Sequence, residues 1–138
     1  MATKSISRLK KELDKWFSLF IRLKSATSEG MVQCITSGRV YHYKSGKIHA
    51  GHFMSRRHLS TRWCEMNVAP QSAADNLFGQ GEQYKFGIAL DHKYGEGTAE
   101  ELQLKSRQIC KMSRADYEDK ISYYKEAVKN LKKEKGIE

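Results

Sequence analysis

Four of the five histidines, His42, His49, His52 and His58, fall between residues 31 and 76. Arg56, Arg57 and Arg62 lie in the same stretch, as do Asn67 and Asn76. The stretch carries six basic side chains and two acidic ones, so its positive balance comes from a scarcity of acid. These residue types share one kind of chemistry. An uncharged imidazole takes a proton from water near neutral pH. An amide oxygen is a suitable ligand for Mg²⁺, which keeps several waters and needs only one or two protein oxygens. A planar guanidinium grips phosphate through two parallel hydrogen bonds. Each also has a plainer reading: a histidine bonded to a backbone carbonyl, an asparagine in a turn, an arginine on a solvated face.

The elements that must position these residues are partly legible. Ile6, Leu9, Leu13, Trp16, Phe20 and Leu23 recur at spacings of three and four, which predicts a helix over 5–25. Residues 31–54 read as strands: MVQCI, a Thr36-Ser37-Gly38 turn, RVYHY, a Lys44-Ser45-Gly46 turn, then KIHAGHF. Residues 55–66 show no clean period and read as a loop or one irregular helix. Pro70, the only proline, predicts extended chain before it and a helix start after it. Ser72 with Asp75 resembles a capping box for a helix over 73–78, and a second helix is expected over 82–94. Thr98 with Glu101 is a fuller capping box, opening a helix to about residue 110. Ser113 with Asp116 opens the last helix, with Tyr117, Ile121, Tyr124, Val128 and Leu131 as its apolar stripe.

The 138 residues suit a single domain over 1–138, divided into an N-terminal helix (1–30), a core (31–78) and a helical C-terminal part (79–138). A net charge of +9, from 25 Lys and Arg against 16 Asp and Glu, admits nucleic acid as a partner. The three cysteines, Cys34, Cys64 and Cys110, form no C-x-x-C pair and read as thiols of a reducing compartment. No apolar run is long enough for a membrane span, and the N-terminus lacks the apolar core of a secretory signal. The expectation is a soluble, intracellular protein.

The order strand, turn, strand, His52, loop, Asn67, helix with Asn76 is similar to that of the HNH, or beta-beta-alpha-metal, nucleases. The resemblance becomes specific in "CITSGRVYHYKSGKIHAGHFMSRRHLSTRWCEMNVAPQSAADN" and "YKFGIALDHKYGEG". These runs, with "LKKELDKWFSLFIRLKSA" and "YYKEAVKNLKKEK" on either side, resemble the lambdoid phage NinG (Rap) recombination proteins over roughly residues 8–135. The AGHF-x-S-R-R core followed by T-R-W…N is the distinctive part. The resemblance implies an α+β fold: an HNH-like core of β-hairpin and helix, flanked by long N- and C-terminal helices. It implies a metal-dependent, structure-specific endonuclease for branched recombination intermediates such as Holliday junctions, encoded by phage or prophage and working in the cytoplasm of a bacterial host.

Carried over by position, His52 matches the general base of the AGHF motif. Asn67 matches the asparagine that braces the loop between strand and helix. Asn76 matches the metal-binding position on the helix, with His49 as a possible assistant. Arg56, Arg57 and Arg62 are the expected phosphate contacts, and His58 lies in the same basic loop. The implied cofactor is Mg²⁺ or Mn²⁺, the implied partner is branched DNA, and a homodimer would suit symmetric cutting.

Two departures stand out. NinG relatives carry two C-x-x-C pairs around a structural zinc. The corresponding positions here are Cys34 with Ser37 and Ser72 with Asp75, so no structural zinc is expected. The hairpin would then be held to the helix by packing or by Ser and Asp hydrogen bonds. The carboxylate that often precedes the catalytic histidine is replaced by Gly51, leaving the metal largely to Asn76. These departures motivate an alternative: a weak or inactive DNA-binding recombination accessory with the same fold.

Overall fold

A computed structural model describes residues 3–138. Its frame is a pair of long helices. α1 (Ile6–Lys24) starts at Ser5, whose side chain accepts the Arg8 N–H at 3.2 Å. It buries Leu9, Leu13, Phe17, Phe20, Ile21 and Leu23. Phe17 and Ile21 extend the expected stripe along the i+4 row from Leu13, while Ile6 stays exposed and Trp16 half-buried. The C-terminal helix, Arg114–Lys135, forms both arms of the Ser113–Asp116 capping box and buries Tyr117, Ile121, Tyr124 and Val128 as their spacing predicts. The two apolar stripes pack on each other within the chain. The Tyr124 ring lies 5.0 Å from both Phe17 and Phe20, edge-on to the first and tilted on the second.

Two antiparallel hairpins sit against this frame. β1 (Met31–Gln33) pairs with β2 (Val40–His42), Val32 opposite Tyr41. β3 (Ile48–His52) pairs with β4 (Val68–Ser72), Ala50 opposite Pro70. Pro70 is therefore the centre of a strand and not a helix start. Its carbonyl accepts the Ile35 N–H at 2.9 Å, on the side away from β3. A strand residue's nitrogen and carbonyl point the same way, so the missing N–H costs the β3–β4 ladder nothing.

The rest of the chain is short pieces. One helical turn, α2 (Leu59–Arg62), and a 3₁₀ turn (Glu65–Asn67) fill the connection between β3 and β4. The expected helix over 73–78 is a single π turn, Ala74–Phe78, leading to α3 (Gln83–Tyr94) and α4 (Thr98–Ser106). The Thr98–Glu101 box does not form. Thr98 donates its hydroxyl to the Gly95 carbonyl at 2.7 Å, and Asp91 of α3 accepts the Ala99 N–H at 2.8 Å instead. A tertiary cap thus replaces the local one, and α4 ends four residues earlier than expected. The C-terminal helix, Arg114–Lys135, is hereafter α5.

The core has two parts. The larger joins α1, α5 and the hairpins through residues such as Ile48, Val68 and Trp63. The smaller joins Phe53 and Ala69 at the far end of the β3–β4 hairpin to Phe86, Leu90 and Leu102 of α3 and α4. The architecture is α+β: two small hairpins between flanking helices. Among the described residues no helix is long and apolar enough to cross a membrane.

Candidate functional site

β3, the loop that follows it and Asn76 of the π turn line one side of an open cleft of about 850 Å³. His49, His52, Asn76, Arg56, Arg57 and His58 all line it. Asp14, Phe17 and Ser18 of α1 contribute another part of its wall.

His52, the last residue of β3, places Nε2 2.9 Å from the Arg62 carbonyl. A carbonyl only accepts, so Nε2 carries the proton and Nδ1 keeps its lone pair. Burial pushes the His52 pKa down, against the raising effect of that hydrogen bond. The ring is therefore neutral at pH 7 with Nδ1 as its acceptor, the state a general base requires.

Asn67 is fully buried and does not reach the cleft. Its Oδ1 accepts the Met54 N–H at 2.8 Å, and its Nδ2 donates to the Met54 and Thr61 carbonyls, each at 3.0 Å. It braces the connection between the strands β3 and β4, not a loop between strand and helix, and it makes no contact from which it could act on a reacting group in the cleft.

Asn76, on the π turn, sets Nδ2 3.1 Å from His49 Nδ1. A half-turn of the terminal amide, which leaves its shape unchanged, turns Oδ1 toward the same ring nitrogen. Two neighbouring ligands of an octahedral ion with bonds near 2.1 Å stand about 3.0 Å apart. The separation matches that of two adjacent ligands, and equally that of the ordinary hydrogen bond the two side chains make with each other. Among the described residues no three His, Cys, Asp or Glu side chains converge to hold a metal by themselves.

The arginines divide. Arg56 and Arg57 are exposed at the cleft. Arg62 is not among the lining residues: its Nη2 and Nε bond to Asp14 at 2.6 and 3.2 Å, and its side chain is only 14% exposed. Arg62 is thus scaffold in this structure. His42, by contrast, lies outside the cleft, with Nδ1 accepting the Lys44 N–H at 3.2 Å.

The family model of the bacteriophage lambda NinG protein matches residues 1–134. The chain belongs to the NinG family. Membership associates it with phage recombination. No curated protein and no solved structure matches the chain.

Against the NinG pattern, both departures have a structural account. The positions corresponding to the two C-x-x-C pairs do come together. Cys34 Sγ accepts the N–H of Ser37 at 3.3 Å and of Ser72 at 3.1 Å, and Ser72 Oγ accepts the Asp75 N–H at 3.2 Å. Thr36 donates its hydroxyl to Asp75 at 2.6 Å and accepts from Gln71 Nε2 at 3.2 Å. Burial raises the Cys34 pKa, but hydrogen bonding with Ser37, Thr36 and Ser72 outweighs it and holds the thiol at about 7. The expected Ser and Asp hydrogen bonds are present. Thr36 and Gln71 are the partners that sequence reasoning missed, because neither sits at a motif position.

Gly51 is the second departure. It is buried against the fully buried Gln71, the diagonal neighbour on β4 two residues beyond Ala69, which stands directly opposite Gly51. A Cβ on Gly51 would stand 2.8 Å from Gln71 Cβ, with Gln71 Oε1 nearer still. A carboxylate at this position would be driven into the hairpin's packed face. Gly51→Ala is expected to destabilise the chain by about 1–3 kcal/mol, as overpacking does, measured as a fall in the urea midpoint at unchanged m. An unchanged midpoint would mean that Gln71 swings away at no cost.

Proposed function

We propose that this NinG-family chain is a metal-dependent endonuclease acting on branched DNA, such as a Holliday junction, during phage or prophage recombination in the bacterial cytoplasm. The observation that carries the proposal is the 2.9 Å contact between His52 Nε2 and the Arg62 carbonyl, which assigns the proton to Nε2. One ring nitrogen is committed to a backbone carbonyl, and the other remains a base beside a cleft with two exposed arginines. The unit that holds it, hairpin followed by a single helical turn bearing Asn76, supports an HNH-like core.

In this reading His52 Nδ1 takes the proton of the water that attacks phosphorus. Asn67 keeps the connection after β3 fixed, so that the base does not drift. Asn76 and His49 would hold a Mg²⁺ or Mn²⁺ ion, which supplies charge stabilisation to the phosphate and the leaving oxygen. Arg56, Arg57 and His58 hold the DNA backbone through phosphate, a contact that positions the strand without reading its sequence. Discrimination then rests on the shape of the branch, and twofold cutting of a four-way junction would suit a homodimer.

The test is cleavage of a labelled four-way junction with Mg²⁺ or Mn²⁺, comparing the chain with Asn76→Ala. The variant should bind the junction and lose at least about tenfold in rate, with part of the loss recovered at high Mn²⁺. Junction binding with no cleavage by either form would overturn the enzyme reading. It would favour the DNA-binding accessory instead, a reading supported by the absence, among the described residues, of any group of three His, Cys, Asp or Glu side chains that could hold a metal.

A further inference from the structure

The base stands at the end of β3, but the acid that organises its surroundings belongs to α1. Building on the nuclease reading above, we infer that Asp14 is the positioning residue of His52: it clamps the Arg62–Trp63 peptide, whose carbonyl fixes the imidazole tautomer.

The contacts form one chain. Asp14 Oδ2 accepts Arg62 Nη2 at 2.6 Å and Arg56 Nη2 at 2.9 Å. Asp14 Oδ1 accepts Arg62 Nε at 3.2 Å and the Trp63 indole N–H at 3.0 Å. The carboxylate therefore holds the side chains on both sides of a single peptide bond. The carbonyl of that bond is the partner of His52 Nε2 at 2.9 Å. The Arg62 guanidinium also lies over the Trp63 ring, 4.9 Å from its centroid, so the two clamped side chains brace each other.

Local structure alone would not hold this carbonyl. α2 is four residues long, one turn, and Trp63 ends it. A single turn fixes several dihedral angles for very few hydrogen bonds. Asp14, in contrast, sits on a 19-residue helix next to Leu13, which is fully buried in the main core. The rigid element lends its position to the weak one. Both carboxylate oxygens are occupied by Arg and Trp donors, so the group is engaged as a clamp although it lines the cleft.

Loss of the carboxylate removes the acceptor of two guanidinium groups and an indole N–H, and leaves Arg62 only its Nη1 bond to the Arg56 carbonyl at 3.3 Å. The Arg62 carbonyl is then no longer aimed, and His52 loses the partner that keeps its proton on Nε2. In the other tautomer Nδ1 carries hydrogen and is no base. Arg56, released at the cleft mouth, remains available to phosphate, so DNA binding should persist while turnover falls.

The experiment uses the full chain and two readouts. Long-range ¹H–¹⁵N spectra of the histidine side chains at pH 7.5 report the tautomer of His52, assigned by its absence in His52→Ala. Junction cleavage with Mn²⁺ reports kcat and KM. The wild-type chain should show His52 protonated on Nε2. Asp14→Ala, with a cooperative melt retained, should show tautomer exchange, a roughly ten- to hundredfold fall in kcat and little change in KM. Asp14→Asn, which keeps one acceptor oxygen, should lie between, and it carries the same readouts if the alanine variant does not fold. A folded Asp14 variant whose His52 stays fully Nε2-protonated, with kcat intact, overturns the inference. If the tautomer moves but no form cuts DNA, the nuclease reading falls while the clamp stands.

Discussion

His52→Ala is expected to reduce junction cleavage by about a thousandfold, within the range that general base catalysis contributes, while leaving junction affinity close to wild type. Its cost to stability should be near 1 kcal/mol, since a single hydrogen bond to the Arg62 carbonyl is lost from a half-buried ring. The pH profile is the companion test. Burial dominates the His52 environment and pushes its pKa below the ordinary 6.5. The charged groups acting on the ring are Arg56 and Arg62, which push the same way, and Asp14, which opposes them. A base must be unprotonated, so a depressed pKa keeps it competent to lower pH. The kcat/KM profile should be flat through pH 7 and fall only below 6.5. An acid limb above 6.5, or a cleavage rate that survives the substitution, would remove His52 from the base's role. The same shift links to stability: a buried neutral histidine contributes stability that is present above 6.5 and lost as pH drops through its folded-state value.

Asn67 has the largest expected effect on the fold. Its side chain is the partner of the Met54 N–H, the Met54 carbonyl and the Thr61 carbonyl, all at 2.8–3.0 Å. Asn67→Ala leaves these three backbone groups without that partner. An unmade hydrogen bond to a buried group costs about 1–3 kcal/mol, so a loss of about 3–5 kcal/mol is expected by urea denaturation. Asn67→Asp should be no better. A carboxylate offers no hydrogen to the two carbonyls and meets their negative ends instead. A loss below about 1 kcal/mol in both variants would mean that water replaces the amide, and Asn67 would then be a turn residue only. The effect on cleavage should follow stability, because Asn67 touches no part of the cleft.

The legible elements were those whose signal is local. α1 and α5 each bury most of the stripe that spacing picks out, and the Ser113–Asp116 box forms as written because both partners lie within four residues. Local signals failed where a distant group supplied a better partner. Thr98 and Glu101 had the letters of a capping box, yet Asp91 takes the Ala99 N–H from the neighbouring helix. Pro70 had the letters of a helix start, yet its free edge faces Ile35 and it completes a strand. That difference matters for the site. The hairpin that carries His52 is β3 with β4, not the earlier pair of strands, and it brings His49 to Asn76 across 27 residues of sequence.

Residue type and short spacing alone picked out the stretch proposed to hold the chemistry: histidines, arginines and asparagines concentrated where acid is scarce. They also determined the two helices that bracket it, because a 3.6-residue period is written in consecutive residues. Which arginine is free and which is bound was left to the tertiary structure. Arg56, Arg57 and Arg62 are alike in sequence, but Asp14, 48 positions before Arg62, engages Arg62 most closely and leaves Arg57 open to the cleft. Nothing in the spacing of α1 relates its one central aspartate to the turn after β3. The two meet only because the packing of Leu13 and Phe17 fixes that face of the helix over the hairpin, and electrostatic pairing depends on distance in space and not on distance along the chain.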